Sequence, residues 1–203
     1  MSSAFPGARL RKLIADGCVA MPGAFNAATA RLIERAGFDA VYVSGAGLAN
    51  ATAGVPDIGL LGLDEVARLA GYIAAAVKIP AIVDADTGFG AAHNVARTVQ
   101  EIEKAGLAGL HIEDQVFPKR CGHVAGKSLV ETKEMVEKIR SAVRARRDAS
   151  FLIIARTDAR ASEGIDGAID RAHEYLAAGA DAVFPEALET AAEFKMFAME
   201  VRA

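Results

Sequence analysis

The sequence has no tryptophan and only three tyrosines in 203 residues, which argues against an aromatic platform for stacking nucleic-acid bases. Its formal net charge is only -3, so the basic footprint of a nucleic-acid or anionic-membrane partner is missing. The two cysteines, Cys18 and Cys121, lie far apart and form no CxxC pair. No disulfide framework is indicated, and the cytoplasm is the expected compartment. No apolar run approaches the roughly 20 residues of a membrane span. The start, MSSAFPGARLRKLIADG, lacks the continuous apolar stretch of a secretory signal and reads as an amphipathic helix over 7–15. No linker or low-complexity tract divides the chain. At 52% hydrophobic it is not a disordered chain, and its length suits one domain over 1–203.

What is present is a repeated unit. ERAGFDAVYVSG at 34–45, EKAGLAGLHIED at 103–114 and LAAGADAVFPEA at 176–187 each read as a helix end, an Ala-Gly stop, a short apolar run and a polar cluster. Gly37, Gly106 and Gly179 can take the left-handed conformation that ends a helix. The runs are too short for helices and suit strands buried on both faces. CVAMPG at 18–23, PAIVDAD at 80–86 and FLIIARTD at 151–158 fit the same strand template. Helical periodicity falls near 25–36, 63–77, 93–105, 131–146, 166–178 and 189–202. Alternating strands and helices imply a parallel sheet with right-handed crossovers.

An open dinucleotide-binding sheet would carry GxGxxG after its first strand. Here Pro22-Gly23-Ala24-Phe25 follows instead, and the glycine-rich Ser44-Gly45-Ala46-Gly47 after the second strand is not expected to open a helix at once. Polar residues stand at the ends of many strands: Ser44, Asp84, Asp86, Glu113, Asp114, Arg156, Asp158 and Glu186. That distribution is expected of an α/β (β/α)8 TIM-type barrel, whose site is assembled from all strand ends. Only six strand-helix units are visible, and the chain ends within a helical pattern. The expectation is a barrel truncated after about six units.

The strongest chemical signal is VDADTGFG at 83–90. Asp84 and Asp86, two apart on a strand end, point to the same side. Two like charges held together call for a cation, and hard oxygens at a barrel mouth suit Mg²⁺. The alternative is that one aspartate caps the following turn. Glu113 is a plausible third carboxylate, and Asp114 points away. The second signal is Pro118-Lys119-Arg120-Cys121-Gly122-His123. Its cysteine sits among cations that favour thiolate, and is either reactive or a plain loop cysteine. Cys18 reads as a core residue.

YVSGAG, PDIG, VDADTGFG, HIEDQ, KRCGH, ARTDA and FPEA, in this order, resemble the isocitrate lyase/phosphoenolpyruvate mutase superfamily, and KRCGH marks its lyase branch. The resemblance runs from about residue 5 to the end and lies nearest to the members that cleave 2-methylisocitrate. It implies a Mg²⁺-dependent carbon–carbon lyase giving pyruvate and succinate, with isocitrate or another 2,3-substituted malate as alternative substrate. It implies that Asp84 and Asp86 hold Mg²⁺ with Asp57 and Glu113 around them. By the same resemblance, Ser44, Gly45, Ala46, Gly122, His123, Arg156 and Glu186 bind the hydroxy-tricarboxylate. Cys121 is then the general acid, and Lys119 and Tyr42 are proton-handling candidates. A homotetramer is implied, with no nucleic-acid or membrane partner. Val124 after KRCGH and Ala46 depart from some members without removing a proposed group. Against all this stands an inactive barrel fragment with a structural role.

Other polar residues read as structural. His93 or Asn94 is placed to cap a helix start. His173 lies on a helix, and His111 alternates with apolar neighbours on a strand, so it either packs or faces the site. The basic run from Arg140 to Arg147 offsets a helix C-terminus as a solvated face.

Overall fold

The computed structural model describes residues 5–122, 124 and 126–201. Its strands are β1 (Gly23–Ala24), β2 (Val41–Val43), β3 (Ala81–Asp84), β4 (Gly109–Glu113), β5 (Leu152–Thr157) and β6 (Ala182–Pro185). They form one sheet in chain order, and every neighbouring pair is parallel. The helices are α1 (Pro6–Asp16), α2 (Ala27–Arg35), α3 (Gly45–Gly47), α4 (Leu63–Ala76), α5 (Ala92–Lys104), α6 (Thr132–Ala145), α7 (Arg160–Ala177) and α8 (Ala191–Glu200). Sequential parallel order with intervening helices is the wall of a (β/α)8 barrel. Among the described residues β1 and β6 are the two edges, so the wall is an open arc of six strands.

The strands read as continuous apolar runs because both faces are covered, yet the period of two still sorts them. Val41, Val43, Val83, Leu110, Ile112, Ile153 and Ala155 pack outward against Ile33, Ile73, Val99, Ile102 and Ile139 of the helices. Ile82, Leu152, Ile154 and Tyr42 face inward, over Leu10 of α1. Helix α1 thus closes the N-terminal end of the arc. Asp181 fixes it there by pairing with Arg11 at 2.7 Å and with Arg146 at 2.6 Å. Arg146 is therefore half-buried in an ion pair, while Arg140 and Arg144 of the same basic run are exposed.

The three Ala-Gly stops act as expected. Gly37, Gly106 and Gly179 have φ of 89°, 89° and 102°. Phe38, Leu107 and Ala180 each send their N–H back to the carbonyl five residues earlier, closing the helix end. Gly109 serves a different need. A Cβ there would lie 2.7 Å from Leu152 Cβ on β5. Gly109→Ala is expected to destabilise the fold by about 1–3 kcal/mol, the usual range for overpacking. A urea titration checks it, and an unchanged midpoint would refute that close approach.

Four expectations need correction. The first strand is not 18–23. Pairing begins at Gly23↔Tyr42, because Pro22 has no N–H to donate and only its carbonyl joins, accepting from Tyr42 at 3.1 Å. Cys18 is consequently exposed on the unpaired lead-in, not in the core. The Ser44-Gly45-Ala46-Gly47 stretch does open a helix at once. Ser44 Oγ accepts the Gly47 N–H at 3.1 Å, and α3 runs on into a π-helical segment, Leu48–Ala53. Finally, α7 starts at Arg160 and not near 166, because Gly164, at φ 76°, joins two helical pieces across a kink. Asn94 caps α5 as expected, its Oδ1 accepting the Ala91 N–H at 3.1 Å. His173 bonds the Glu200 carbonyl oxygen at 3.0 Å through Nε2.

Candidate active site

The inward-facing positions turn polar at the C-terminal ends of the strands. Register sets Asp84 of β3 beside His111 of β4, and Glu113 of β4 beside Arg156 of β5. These ends, with the loop after β4, enclose a cavity of about 410 Å³. It is lined by Tyr42, Ser44, Ala46, Asp57, Asp84, Lys119, Cys121, Gly122, Arg156 and Glu186, among others. Most of the residues singled out in the sequence therefore converge. His123 lies outside the described residues.

Asp84 and Asp86 do reach one side, but not by strand alternation. β3 ends at Asp84, and Asp86 is turned inward by a left-handed backbone, φ 47°. Asp84 Oδ1 accepts the Asp86 N–H at 3.0 Å, so the turn-capping role and the inward-facing role coexist in one residue. Gly45 makes room for it: a Cβ there would fall 2.7 Å from Asp84 Oδ2. Burial works against ionisation of Asp84, yet His111, Arg156 and Lys119 hold its carboxyl below the usual range. Asp86 goes the other way, pushed up to about 6 by burial and by the charge of Asp84.

Lys119 is only 3% exposed and its ammonium is shared between Asp57 and Asp86, the latter at 2.7 Å. Burial would favour the neutral amine, but Asp86, Glu113, Asp84 and the bond to Asp57 hold it firmly cationic. Two expectations change. Lys119 places its ammonium on two carboxylates, and as a firmly held cation it has no free base to offer. Tyr42 is likewise held protonated, by burial and by Asp84. Its hydroxyl lies 2.9 Å from His111 Nε2 and 3.4 Å from Asp84 Oδ2, and its ring stacks on His111.

Arg156 is the hub of the other half. Its fork donates to Asp158 at 3.0 and 3.1 Å, Nη1 lies 3.1 Å from Glu186, and Nε lies 3.4 Å from Glu113. Gly122 rests on this pair so closely that a Cβ would fall 2.5 Å from Glu186 Cδ. Behind the sheet, Asp114 points away as expected. It accepts from Thr157, Tyr175 and the Asp158 N–H, which fixes the backbone under Arg156.

The expected four-carboxylate metal set is not gathered as one cage. Among the described residues no three His, Cys, Asp or Glu side chains form a ready metal cluster, since Lys119 draws Asp57 and Asp86 onto itself. Asp84 and Glu113 nevertheless fit a hard cation. Glu113 is 1% exposed and neither carboxyl oxygen has a hydrogen bond. Burial, with Asp84 and Asp158 adding to it, raises its pKa well above normal despite Arg156. An ionised Asp84 beside a buried Glu113 whose oxygens lack hydrogen bonds suits Mg²⁺, which takes one or two carboxylates plus water and substrate.

His111 was open between packing in the core and facing the site in the sequence, and the structure packs it while setting it beside Asp84. It is 1% exposed, packed edge-on to Phe184 and bonded to Tyr42. Burial depresses its pKa from 6.5 to about 4. The unfolded chain therefore binds a proton that the folded metal-free protein refuses between those pH values, and stability falls as pH falls through that window. Asp86 opposes this, since its raised pKa gains stability on the acid side. His111→Gln isolates the histidine: its stability should fall less steeply between pH 6.5 and 4, by up to about 1.4 kcal/mol per pH unit. Parallel urea curves for both proteins across that window would refute the assignment.

A family model described as phosphoenolpyruvate phosphomutase matches residues 10–203. The 2-methylisocitrate lyase of Aeropyrum pernix is 54% identical over 199 residues, covering 98% of this chain and 64% of that protein. The chain thus spans a little under two thirds of that relative's length. A crystal structure of 2,3-dimethylmalate lyase superposes with TM-score 0.93 at 36% identity, covering 98% of this chain and 68% of the other. Phosphonopyruvate hydrolase, solved with oxalate and Mg²⁺, superposes with TM-score 0.88 at 33% identity, covering 98% and 70%.

Proposed function

Since the chain belongs to the phosphoenolpyruvate phosphomutase family, we propose that it carries the site of a Mg²⁺-dependent carbon–carbon lyase that splits 2-methylisocitrate into pyruvate and succinate. The observation that carries this reading is one cavity lined together by Cys121, Gly122, Arg156, Glu186 and Asp84, with Gly122 packed directly against Arg156 and Glu186. The similarity to a 2-methylisocitrate lyase supports the substrate. A small-molecule hydroxy-tricarboxylate, a cytoplasmic setting and a homo-oligomer of the tetrameric kind complete the proposal.

Cleavage of a β-hydroxy acid needs a proton taken from the hydroxyl, for which the Glu186 carboxylate lining the cavity is the acceptor, and one returned to the departing carbanion. Arg156 supplies the positive charge that a substrate carboxylate would meet, with Glu186 on Nη1 and Asp158 on Nε and Nη2 holding the guanidinium in place. Ser44 uses its oxygen as a helix cap and keeps its hydroxyl hydrogen for a second carboxylate. Asp84 and Glu113 would hold Mg²⁺, with Asp86 beside them. Bound there, the ion would polarise the substrate hydroxyl and its neighbouring carboxylate. Lys119 keeps Asp57 and Asp86 oriented. Cys121 delivers the proton to the departing enediolate, and Gly122 presents its N–H beside it. The loop that carries both keeps bulk water from the intermediate.

The test compares turnover of 2-methylisocitrate, isocitrate and 2,3-dimethylmalate. A single methylene is worth only about 1–3 kcal/mol of discrimination. Fastest cleavage of 2-methylisocitrate is expected; faster cleavage of either rival would reject the substrate. No turnover of any of the three would favour a structural role.

A further inference from the structure

We propose that Lys127 is a positioning residue that latches the Cys121–Gly122 segment over the cavity; the role in turnover rests on the lyase reading above. Lys127 lies outside every motif that marked the site. Its side chain is 5% exposed and its ammonium lies 2.8 Å from Asp158 Oδ1. The same ammonium donates to the Gly122 carbonyl oxygen at 2.5 Å. Asp158, fully buried, also takes both bonds of the Arg156 fork. Gly122 in turn lies directly against Arg156 and Glu186. The four groups close a ring: Arg156, Asp158, Lys127, Gly122 and back to Arg156.

The other side of Cys121 is held differently. Gln115 accepts the Arg120 N–H and donates to the Arg120 carbonyl, both at 2.9 Å. Cys121 is therefore bracketed by two residues whose backbones are pinned by side chains. The Gln115 clamp is neutral and local. The Lys127 clamp is ionic and shares its carboxylate with the arginine proposed to take the substrate carboxylate. Asp158 thereby couples the placement of the loop to the orientation of Arg156. A buried lysine ammonium needs compensation, and here its donors go to one carboxylate and one loop carbonyl.

Two variants test the latch. Lys127→Met keeps the reach and removes every donor. Lys127→Gln is shorter and can bond Asp158 or the Gly122 carbonyl, but not both. Native-state alkylation by iodoacetamide, read by mass spectrometry, gives the rate at Cys121 relative to the exposed Cys18. The ratio should rise about tenfold in Lys127→Met, as loss of a charge-assisted hydrogen bond permits, and less in Lys127→Gln. In the intact enzyme kcat should fall ~10–100-fold, the scale of a misplaced catalytic group. KM should stay near wild type, because Asp158 still holds the Arg156 fork. A merely structural lysine would lower the urea midpoint and leave both the labelling ratio and the kcat-to-KM split unchanged.

Wild-type labelling ratios in both variants would overturn the latch. So would a raised ratio with unaltered kcat, since the segment would then be released without consequence for turnover. If Lys127→Met fails to fold, Lys127→Gln decides by the same two readouts. The labelling needs no substrate. If wild-type protein cleaves none of the three acids but the variants label faster at Cys121, the lyase reading fails and the latch stands as a structural clamp.

Discussion

Replacing Cys121 with serine is expected to cut turnover by about 10²–10⁴-fold, the usual share of a positioned general acid. KM should stay near its wild-type value. The substitution keeps size and place on the loop, and exchanges a thiol for a hydroxyl that is a far weaker acid. Cys121 lines the cavity together with Asp84 and Arg156, so its proton is offered where the departing carbanion would form. Steady-state kinetics on 2-methylisocitrate settles the point. Unchanged kcat would remove the thiol from the reaction and leave KRCGH as a loop that only closes the cavity.

The largest loss of stability is expected from Arg156→Met. The guanidinium faces three buried carboxylates, those of Glu113, Asp158 and Glu186. Removing it strands them in the low-dielectric interior, at a cost of about 3–5 kcal/mol. Lys127 softens this for Asp158 but does not reach the others in any described contact. The sign of the pH dependence follows. Arg156 lowers the pKa of both Glu113 and Asp158, so without it these two carboxyls take protons more readily when folded, and the deficit relative to wild type should shrink as pH falls. Arg156→Lys keeps the charge but cannot form the two-pronged bond to Asp158, and should land between the two in stability while losing most turnover. Urea titrations at several pH values check both variants. A deficit that stays constant with pH would mean the cost comes from lost packing and not from stranded charge.

Much of this site could be found before any coordinates. Asp84, Arg156 and Glu186 stand at the ends of apolar runs, where a parallel sheet must turn polar. KRCGH stood out because cysteine among cations is chemically unusual. What escaped has a common cause. Lys127 and Gln115 act through the backbone of a loop, at separations of five residues that carry no helical or strand period. Asp158 follows Arg156 by two and so shares its face, a signal that was present but outweighed by its neighbour. That Lys119 spends its ammonium on Asp57 and Asp86 was not legible either, because adjacency to Cys121 in sequence says nothing of where a long side chain reaches. Cys18 was misplaced because an apolar run looks like a strand whether or not a partner lies beside it.

The alternation of strand and helix, the parallel order and the charged strand ends were already written in the order of residues. Those follow from local rules: short apolar runs, glycine stops in the left-handed region and a period of two. Which charges meet was set by the folded arrangement. It turned Asp86 inward through a left-handed residue, gave Lys119 to Asp57 and Asp86, and closed the ring from Arg156 through Lys127 to Gly122. Pairing of this kind depends on loops folding back over strand ends in three dimensions, and the strength of each pair depends on burial, which no spacing along a chain encodes.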